Sequence, residues 1–266
     1  MSVIDIEDVY EYSQSIRLPQ MCFQTLDFPK QEVPVDLYKH ILSKMGILVV
    51  SLSYDEDSSV TLTKIVSLLG RAHTHSSGDD SVWHIKQGGS GGGETLARSH
   101  KLSEFVLHTD CSYEKQVPDF FGLHCIRHDR FGGGKNLLVD CSTLIQHLTQ
   151  KSLETLQNDP VEITVPPEFR RDIESITSRV IDKNFNVRYR KEILREETLT
   201  PALKSALEEF ERLCDSPVLN RKFELKDNQI LLIDNKRYLH ARTTIKDEDR
   251  HLMRIRFFTD FDKLSN

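Results

Sequence analysis

A histidine and an aspartate stand two residues apart after an apolar run near the middle of the chain. The run is Phe105-Val106-Leu107, and His108 and Asp110 follow it. Because residues i and i+2 of a β-strand share a face, this imidazole and carboxylate would point the same way. They are two of the three ligands of a 2-His-1-carboxylate site, which holds iron(II) and leaves positions open. The spacing therefore predicts a mononuclear iron site that needs one more histidine.

The third ligand is predicted at His240. An apolar run at 230–233 and a turn at Asp234-Asn235 come shortly before this histidine. A closed β-barrel brings strands together that are far apart in sequence. We therefore expect His240 to meet the pair at the end of the earlier strand.

Three arginines alternate with apolar residues near the C-terminal end. Arg250, Arg254 and Arg256 are even-numbered positions of one run, and their apolar neighbours 253, 255 and 257 take the other face of a strand. A guanidinium inside a barrel keeps its charge and is costly without a partner. A dicarboxylic co-substrate would supply the missing anions in the bidentate geometry that guanidinium matches.

Short β-rich runs must position these residues. Strands are predicted at 47–50, 82–85, 120–126, 137–139, 161–165, 179–181, 186–189, 222–225, 230–233 and 252–258. Helices are predicted at 36–46, 60–69, 142–156 and 201–213, the last with Thr200 as its N-cap and Pro201 as its first residue. Many short strands between turns favour a sandwich or jelly roll. The predicted fold class is α+β with a β core, formed by one domain.

The bulk composition excludes several function classes. A net charge of −6 with 29% charged residues gives no basic stripe for nucleic acid. The first residues are acidic where a signal peptide is basic, and no apolar run approaches the roughly 18 residues of a membrane span. Five scattered cysteines without a CxxC pair indicate reduced thiols. These features predict a cytoplasmic protein with no nucleic-acid or membrane partner.

In its motifs and their order the chain resembles the taurine dioxygenase and clavaminate synthase-like family of iron(II)/2-oxoglutarate oxygenases. The resemblance covers most of the chain and rests on segments 107–110, 132–137, 232–242 and 250–254. It implies a double-stranded β-helix, or jelly-roll, core with flanking helices, spanning 1–266 as a single domain.

The resemblance also implies roles for individual residues. The two histidines and the aspartate named above would bind iron(II), and Arg250 would clamp the distal carboxylate of 2-oxoglutarate. Asn136 stands where the family has a threonine or serine that shares this carboxylate, and an amide can donate the same hydrogen bond. Arg254 matches a second family arginine near the substrate or co-substrate. The implied reaction consumes dioxygen and 2-oxoglutarate, releases succinate and carbon dioxide, and hydroxylates, desaturates or cyclises a small polar substrate.

Substrate identity stays open in the sequence. Arg188, Arg256, Trp83 and Tyr113 are candidate substrate contacts, and the glycine cluster at 88–93 is either a lid or a plain connection. Several cations favour an anionic substrate, such as a free amino acid or amino-acid derivative; a carrier-bound acyl group is an alternative. Two other functions keep the barrel: a non-catalytic metal-binding sensor or interaction protein, and an iron dioxygenase that needs no co-substrate. The oligomeric state is not predicted.

Overall fold

Two β-sheets packed on each other form the centre of the protein. The computed structural model describes residues 18–74, 81–87, 97–170 and 172–259. The larger sheet contains β1 (Phe23–Leu26), β2 (Ile47–Leu52), β3 (Gly70–Ala72), β4 (Val82–Ile85), β6 (Phe120–Arg127), β11 (Gln229–Asp234) and β13 (His251–Thr259). The smaller sheet contains β5 (Phe105–His108), β7 (Asn136–Asp140), β10 (Asn220–Phe223) and β12 (Tyr238–Arg242). A separate hairpin pairs β8 (Val161–Thr164) with β9 (Ser175–Ser178).

The order of the strands joins segments that are distant in sequence. The larger sheet runs β1-β2-β11-β6-β13-β3, with β4 also pairing with β13, and the smaller runs β10-β7-β12-β5. All of these pairs are antiparallel except β1 with β2. Buried side chains of both sheets, such as Phe121 and Leu231 from one and Leu138 and Tyr238 from the other, form one apolar cluster. The predicted α+β fold with a double-stranded β-helix core is confirmed.

Five α-helices flank the sheets in the described part of the chain: α1 (Val35–Met45), α2 (Val60–Leu69), α3 (Cys141–Ile145), α4 (Gln150–Asn158) and α5 (Pro201–Cys214). The first two pack on the larger sheet, and the others cover the smaller sheet and the β8–β9 hairpin. None of the described helices has the length and hydropathy needed to cross a membrane.

Helix ends follow the sequence signals where capping groups are present. Gly46, with φ of 66°, ends α1 by donating its N–H to the Leu42 carbonyl, a conformation that glycine adopts without penalty. The Thr200 hydroxyl caps α5 by accepting the Leu203 N–H at 3.1 Å. Both predicted ends are confirmed.

The predicted helix 142–156 is wrong in one respect, because the structure divides it into α3 and α4. The Thr149 hydroxyl accepts the Ser152 N–H at 3.3 Å and so starts a second helix. A threonine offers the backbone this alternative to a continuous helix. Segments 179–181 and 186–189, predicted as strands, meet through the isolated bridge Ile181↔Val187, since this hairpin is too short to form a ladder.

Candidate metal centre

The two segments that carry the predicted metal ligands lie side by side in the smaller sheet. His108 ends β5, and His240 lies on β12 directly opposite it in the antiparallel register. Asp110 follows β5 by two residues, and its Oδ1 atom is 3.7 Å from His108 Nε2 and 3.8 Å from His240 Nε2. One ligand atom of each residue lies within 4.8 Å of the other two. An ion with ligand bonds of about 2 Å fits between three donors so spaced.

The protonation states of these three side chains suit a metal. Burial lowers the pKa of His108, and burial together with the nearby His108 lowers the pKa of His240 well below the usual range, so both imidazoles are neutral. Burial alone would raise the pKa of Asp110, but the guanidinium groups of Arg254 and Arg256 outweigh it and hold this pKa well below its ordinary value. Neutral imidazoles and an ionised carboxylate are the forms that bind metals.

One imidazole is also oriented for coordination. His108 Nδ1 lies 2.8 Å from the Val106 carbonyl, the position of a donated N–H, so Nε2 keeps its lone pair. His108 Nε2 is buried and has no hydrogen-bond partner in the part of the chain that the structure describes. A buried unpaired acceptor is unfavourable without a ligand. The three side chains are therefore suited to bind a divalent metal ion.

Asn235 fixes the backbone that carries Asp110. Its side-chain oxygen accepts the Asp110 N–H at 2.7 Å, and its Nδ2 donates to the Asp110 carbonyl at 3.0 Å. Asn235 is completely buried and follows β11, in the turn that leads to β12 and His240. One amide thus joins the loop after β5 to the hairpin that carries the third ligand. Sequence analysis named Asn235 only as part of a turn and did not predict this contact.

A cavity beside the metal ligands has an unusual polar lining. His240, Arg254, Asn136 and Arg250 line it together with apolar side chains. Arg250 is 5% exposed, burial lowers its pKa, and within the described residues no carboxylate lies in ion-pair range of its guanidinium. The Nδ2 atom of Asn136 is buried and finds no hydrogen-bond partner among the residues described. A buried cation and an unpaired amide donor in one cavity fit a bound carboxylate.

Gly134 provides the room that Arg250 occupies. It has φ of 60°, and a Cβ at this position would lie 2.7 Å from Arg250 Nε and 3.0 Å from its Cδ. Gly132 has a similar φ of 75°, but a Cβ there would meet nothing within 4 Å. Alanine at either position would strain the backbone, but only alanine at position 134 would also crowd Arg250. Comparing the two substitutions therefore distinguishes the two effects.

The family resemblance assigns Arg250 to 2-oxoglutarate. On that assignment, Gly134→Ala is expected to raise the 2-oxoglutarate concentration needed for half-maximal turnover by roughly tenfold, because overpacking of about 1–3 kcal/mol would displace the guanidinium. Gly132→Ala shares the strain of a positive φ and should leave this requirement within about twofold of wild type. Titration of 2-oxoglutarate in both variants is the measurement. Equal shifts in the two variants would contradict the role of Gly134.

A second cavity borders the metal ligands His108 and Asp110. The Phe105 ring stacks on the His108 ring at a centroid distance of 3.7 Å, and the Arg190 guanidinium lies 5.3 Å from the Phe105 centroid. Glu192 pairs with Arg190 at 3.2 Å and with Arg98 at 3.0 Å. Glu192 itself does not line the cavity, but Glu168 does, so the lining combines aromatic rings with charges of both signs.

The predicted substrate contacts are distributed unevenly around this cavity. Tyr113 lines it and stacks on Phe169 at 5.1 Å, and Arg256 also lines it. Arg188 instead donates to backbone carbonyls, including that of Glu114 at 2.7 Å, and is absent from the lining. Its neighbour by two positions, Arg190, lines the cavity. The sequence pattern named Arg188 as a candidate substrate contact, and the structure places Arg190 at this cavity instead.

Trp83 does not line either cavity beside the metal ligands. Its indole N–H donates to the Ser99 hydroxyl at 3.2 Å, and its ring packs on His100 at 5.2 Å. Through Ser99, which lines both cavities, Trp83 supports the wall rather than forming it. The glycine cluster 88–93, predicted as a lid or connection, lies outside the described residues.

Comparison with proteins of known sequence gives one family and one relative. The model of the family "Taurine catabolism dioxygenase TauD, TfdA family" matches residues 24–256. The dioxygenase str8 of Strobilurus tenacellus is 28% identical over 157 residues, which is 53% of this chain and 35% of that protein. The alignment thus spans about a third of the length of this relative.

Several solved structures share the fold. Asparagine oxygenase in complex with Fe(II), 3-hydroxyasparagine and succinate has a TM-score of 0.71 at 18% identity, covering 85% of this chain and 77% of that one. The non-haem iron oxygenase OrfP with iron and α-ketoglutaric acid has a TM-score of 0.68 at 16% identity, covering 85% and 78%. PvcB from Pseudomonas aeruginosa has a TM-score of 0.64 at 16% identity, covering 88% and 86%.

The similarity to these structures shows the fold of the chain. Its membership of a family is shown by the match to the family model. Its match begins in β1 and ends in β13, so it includes both sheets and every segment that lines the metal centre. The resemblance predicted from the sequence motifs is confirmed. The chain belongs to the taurine catabolism dioxygenase TauD, TfdA family.

Proposed function

We propose that this protein is an iron(II)- and 2-oxoglutarate-dependent dioxygenase that oxidises a small polar substrate, an amino acid or amino-acid derivative. The observation that carries the proposal is the buried Arg250 guanidinium, which shares a cavity with the unpaired amide of Asn136 beside the metal ligands. A barrel that only bound a metal would have no reason to bury this cation. A diacid co-substrate satisfies it.

Each side chain has a distinct task in this proposal. His108, Asp110 and His240 hold the iron, while Arg250 and Asn136 bind the distal carboxylate of 2-oxoglutarate by charge and hydrogen bonds. When bound, iron(II) with 2-oxoglutarate supplies the activation of dioxygen that oxidises a substrate C–H bond, with release of succinate and carbon dioxide. Hydroxylation is the proposed outcome.

The two cavities divide the co-substrate from the substrate. Arg254 lines both, and its buried Nε atom has no hydrogen-bond partner within residues 18–74, 81–87, 97–170 and 172–259, so it is available to an anionic group in either cavity. Rings of Phe105 and Phe169 line the substrate cavity and reduce the access of water to the reacting atoms. These residues orient the substrate and exclude competing reactions.

The charges of the second cavity support an amino acid as substrate. Its lining includes the cations Arg98 and Arg190 and the carboxylate Glu168. A zwitterion offers a partner to each sign of charge. Two structural neighbours are described with hydroxylated asparagine and hydroxylated arginine, which supports the same substrate class here.

We also infer that the chain forms one oxygenase domain over 1–266 and works in the cytoplasm. The two sheets and the flanking helices share continuous apolar clusters, which supports a single unit. All five cysteines are buried and unpaired, which supports a reducing compartment.

The proposed function is tested by succinate release. Anaerobically iron-loaded protein is mixed with 2-oxoglutarate and a panel of amino acids that includes asparagine and arginine, and aerobic succinate formation is measured for each. We expect at least one amino acid to raise succinate release above the substrate-free rate, and N-oxalylglycine, a 2-oxoglutarate mimic, to inhibit it. Metal binding without any succinate formation would favour a non-catalytic barrel. Turnover that N-oxalylglycine does not inhibit would indicate an oxygenase without a co-substrate.

A further inference from the structure

The carboxylate of Asp110 is held by two buried guanidinium groups as well as facing the two imidazoles. Arg256 Nε donates to Oδ2 at 2.8 Å, and Arg254 Nη1 lies 3.1 Å from both Oδ1 and Oδ2. The side chains of Asp110, Arg254 and Arg256 are 4%, 7% and 7% exposed. The two oxygens therefore differ: Oδ1 is the one close to His108 and His240, whereas Oδ2 accepts a charge-assisted hydrogen bond from Arg256.

This difference affects how many positions remain open on a bound metal. A carboxylate binds a metal through one oxygen or through both. Three protein donors leave three positions of an octahedral ion open, enough for a chelating diacid and dioxygen. If Oδ2 also bound, only two positions would remain. The contact from Arg256 acts against that second bond, because it occupies Oδ2 and places a positive charge beside it.

The two arginines have different surroundings on the same strand face. Arg254 and Arg256 are two residues apart on β13 and so point to the same side. Arg254 lines both cavities, and its Nε has no hydrogen-bond partner among the described residues. Arg256 lines the substrate cavity and directs its Nε to Oδ2. Arg254 Nη1 is thus shared between the two oxygens of Asp110, whereas Arg256 Nε is directed to Oδ2.

We propose that Arg256 is a positioning residue that holds Oδ2 of Asp110 off the metal, so that this carboxylate binds through Oδ1 alone. The inference rests on the metal site of the proposed function. It gives Arg256 a role other than the substrate contact that the sequence pattern predicted.

Manganese(II), bound alone to the full-length protein, tests this proposal through water-proton relaxation, which counts the exchangeable waters on the ion. We expect Arg256→Met to lower the relaxivity of the bound ion by about a third, because two open positions replace three. Its affinity for manganese should be at least that of wild type, since a positive charge near the ion is removed and Asp110 loses a competing partner. Neither change is expected from a substrate contact.

Two further variants keep the test decisive. Arg256→Lys retains a charged donor to Oδ2 and is expected to restore the wild-type relaxivity. Arg256→Gln is neutral but polar, and it should lower the relaxivity in the same direction if the methionine variant does not fold. Arg127→Met, on the exposed end of β6, controls for loss of an arginine elsewhere.

The outcomes separate this inference from the proposed function. Wild-type relaxivity in both the methionine and glutamine variants, or weaker manganese binding without fewer bound waters, would overturn the role of Arg256 while leaving the metal site intact. Failure of the wild-type protein to bind manganese would instead overturn the metal site itself.

Discussion

Replacing His108 with alanine is expected to abolish succinate release and to weaken iron(II) binding by more than about 100-fold, the upper range for residues that merely support a ligand. His108 is the proposed ligand whose Nδ1 is oriented by the Val106 carbonyl, and its buried Nε2 has no partner among the described residues. Without it, His240 and Asp110 present only two donors, too few to fix an ion against water. Metal affinity by anaerobic titration and succinate formation are the two measurements.

His84→Ala is the matched control for this prediction. His84 lies on β4 and contacts His251 at 3.0 Å, and neither residue lines a cavity beside the metal ligands. Its removal should leave metal affinity and succinate release unchanged. If a normally folded His108→Ala variant bound iron(II) with the affinity of wild type, His108 would not be a metal ligand. The activity of the control would not change that conclusion.

Spacing along single strands carried most of the information about the site. The two-residue interval between His108 and Asp110 follows directly from the alternation of strand side chains, and so does the shared face of Arg254 and Arg256. The contact between β5 and β12 needed more than spacing, because no local pattern fixes which distant strands pair. The expectation of a closed β-barrel, in which distant strands meet, led to the prediction of His240. In the structure His240 lies opposite His108.

Contacts between side chains that are distant along the chain could not be predicted from the sequence. The amide of Asn235 reaches the Asp110 backbone across 125 positions of the chain, and nothing in a turn sequence specifies that contact. The choice of Arg190 over Arg188 as the inward residue depends on where an irregular segment crosses the sheet, since 186–189 forms no regular strand. Gly134 belongs to the segment 132–137 on which the family resemblance rests. Why a glycine is needed there, namely the closeness of Arg250, is visible only in the structure.

The strands β1, β9 and β12 were not predicted, for two different physical reasons. β1 and β9 are short, and their residues are mostly exposed or half-buried, so they lack the apolar alternation that marks a strand. β12, Tyr238–Arg242, is buried on both sides, and its polar residues His240 and Arg242 face the site and its supporting wall. The polar residues needed at the site therefore interrupt the apolar pattern of β12, the strand that carries the third ligand.

Arg250→Ala is expected to raise the 2-oxoglutarate requirement by roughly 100-fold while leaving metal affinity close to that of wild type. Removing one partner of a buried charged pair costs about 2–5 kcal/mol, and about 3 kcal/mol corresponds to a factor near 100. Because the guanidinium would act on the distal carboxylate and not on the metal ligands, saturating 2-oxoglutarate should restore much of the turnover. Half-maximal 2-oxoglutarate concentration and iron affinity are measured together.

Two further variants make this prediction specific to the geometry of the guanidinium. Arg250→Lys keeps a charge but offers a single point donor instead of a planar fork, so its 2-oxoglutarate requirement should fall between those of wild type and the alanine variant. Arg127→Ala removes an exposed arginine that lies on β6 opposite His251 and should change neither quantity. A loss of iron affinity in Arg250→Ala equal to its loss of 2-oxoglutarate binding would show that this buried cation maintains the barrel as a whole. An unchanged 2-oxoglutarate requirement would remove the argument that its cavity holds the diacid, because Asn136 alone supplies one neutral donor and cannot balance a carboxylate in a buried site.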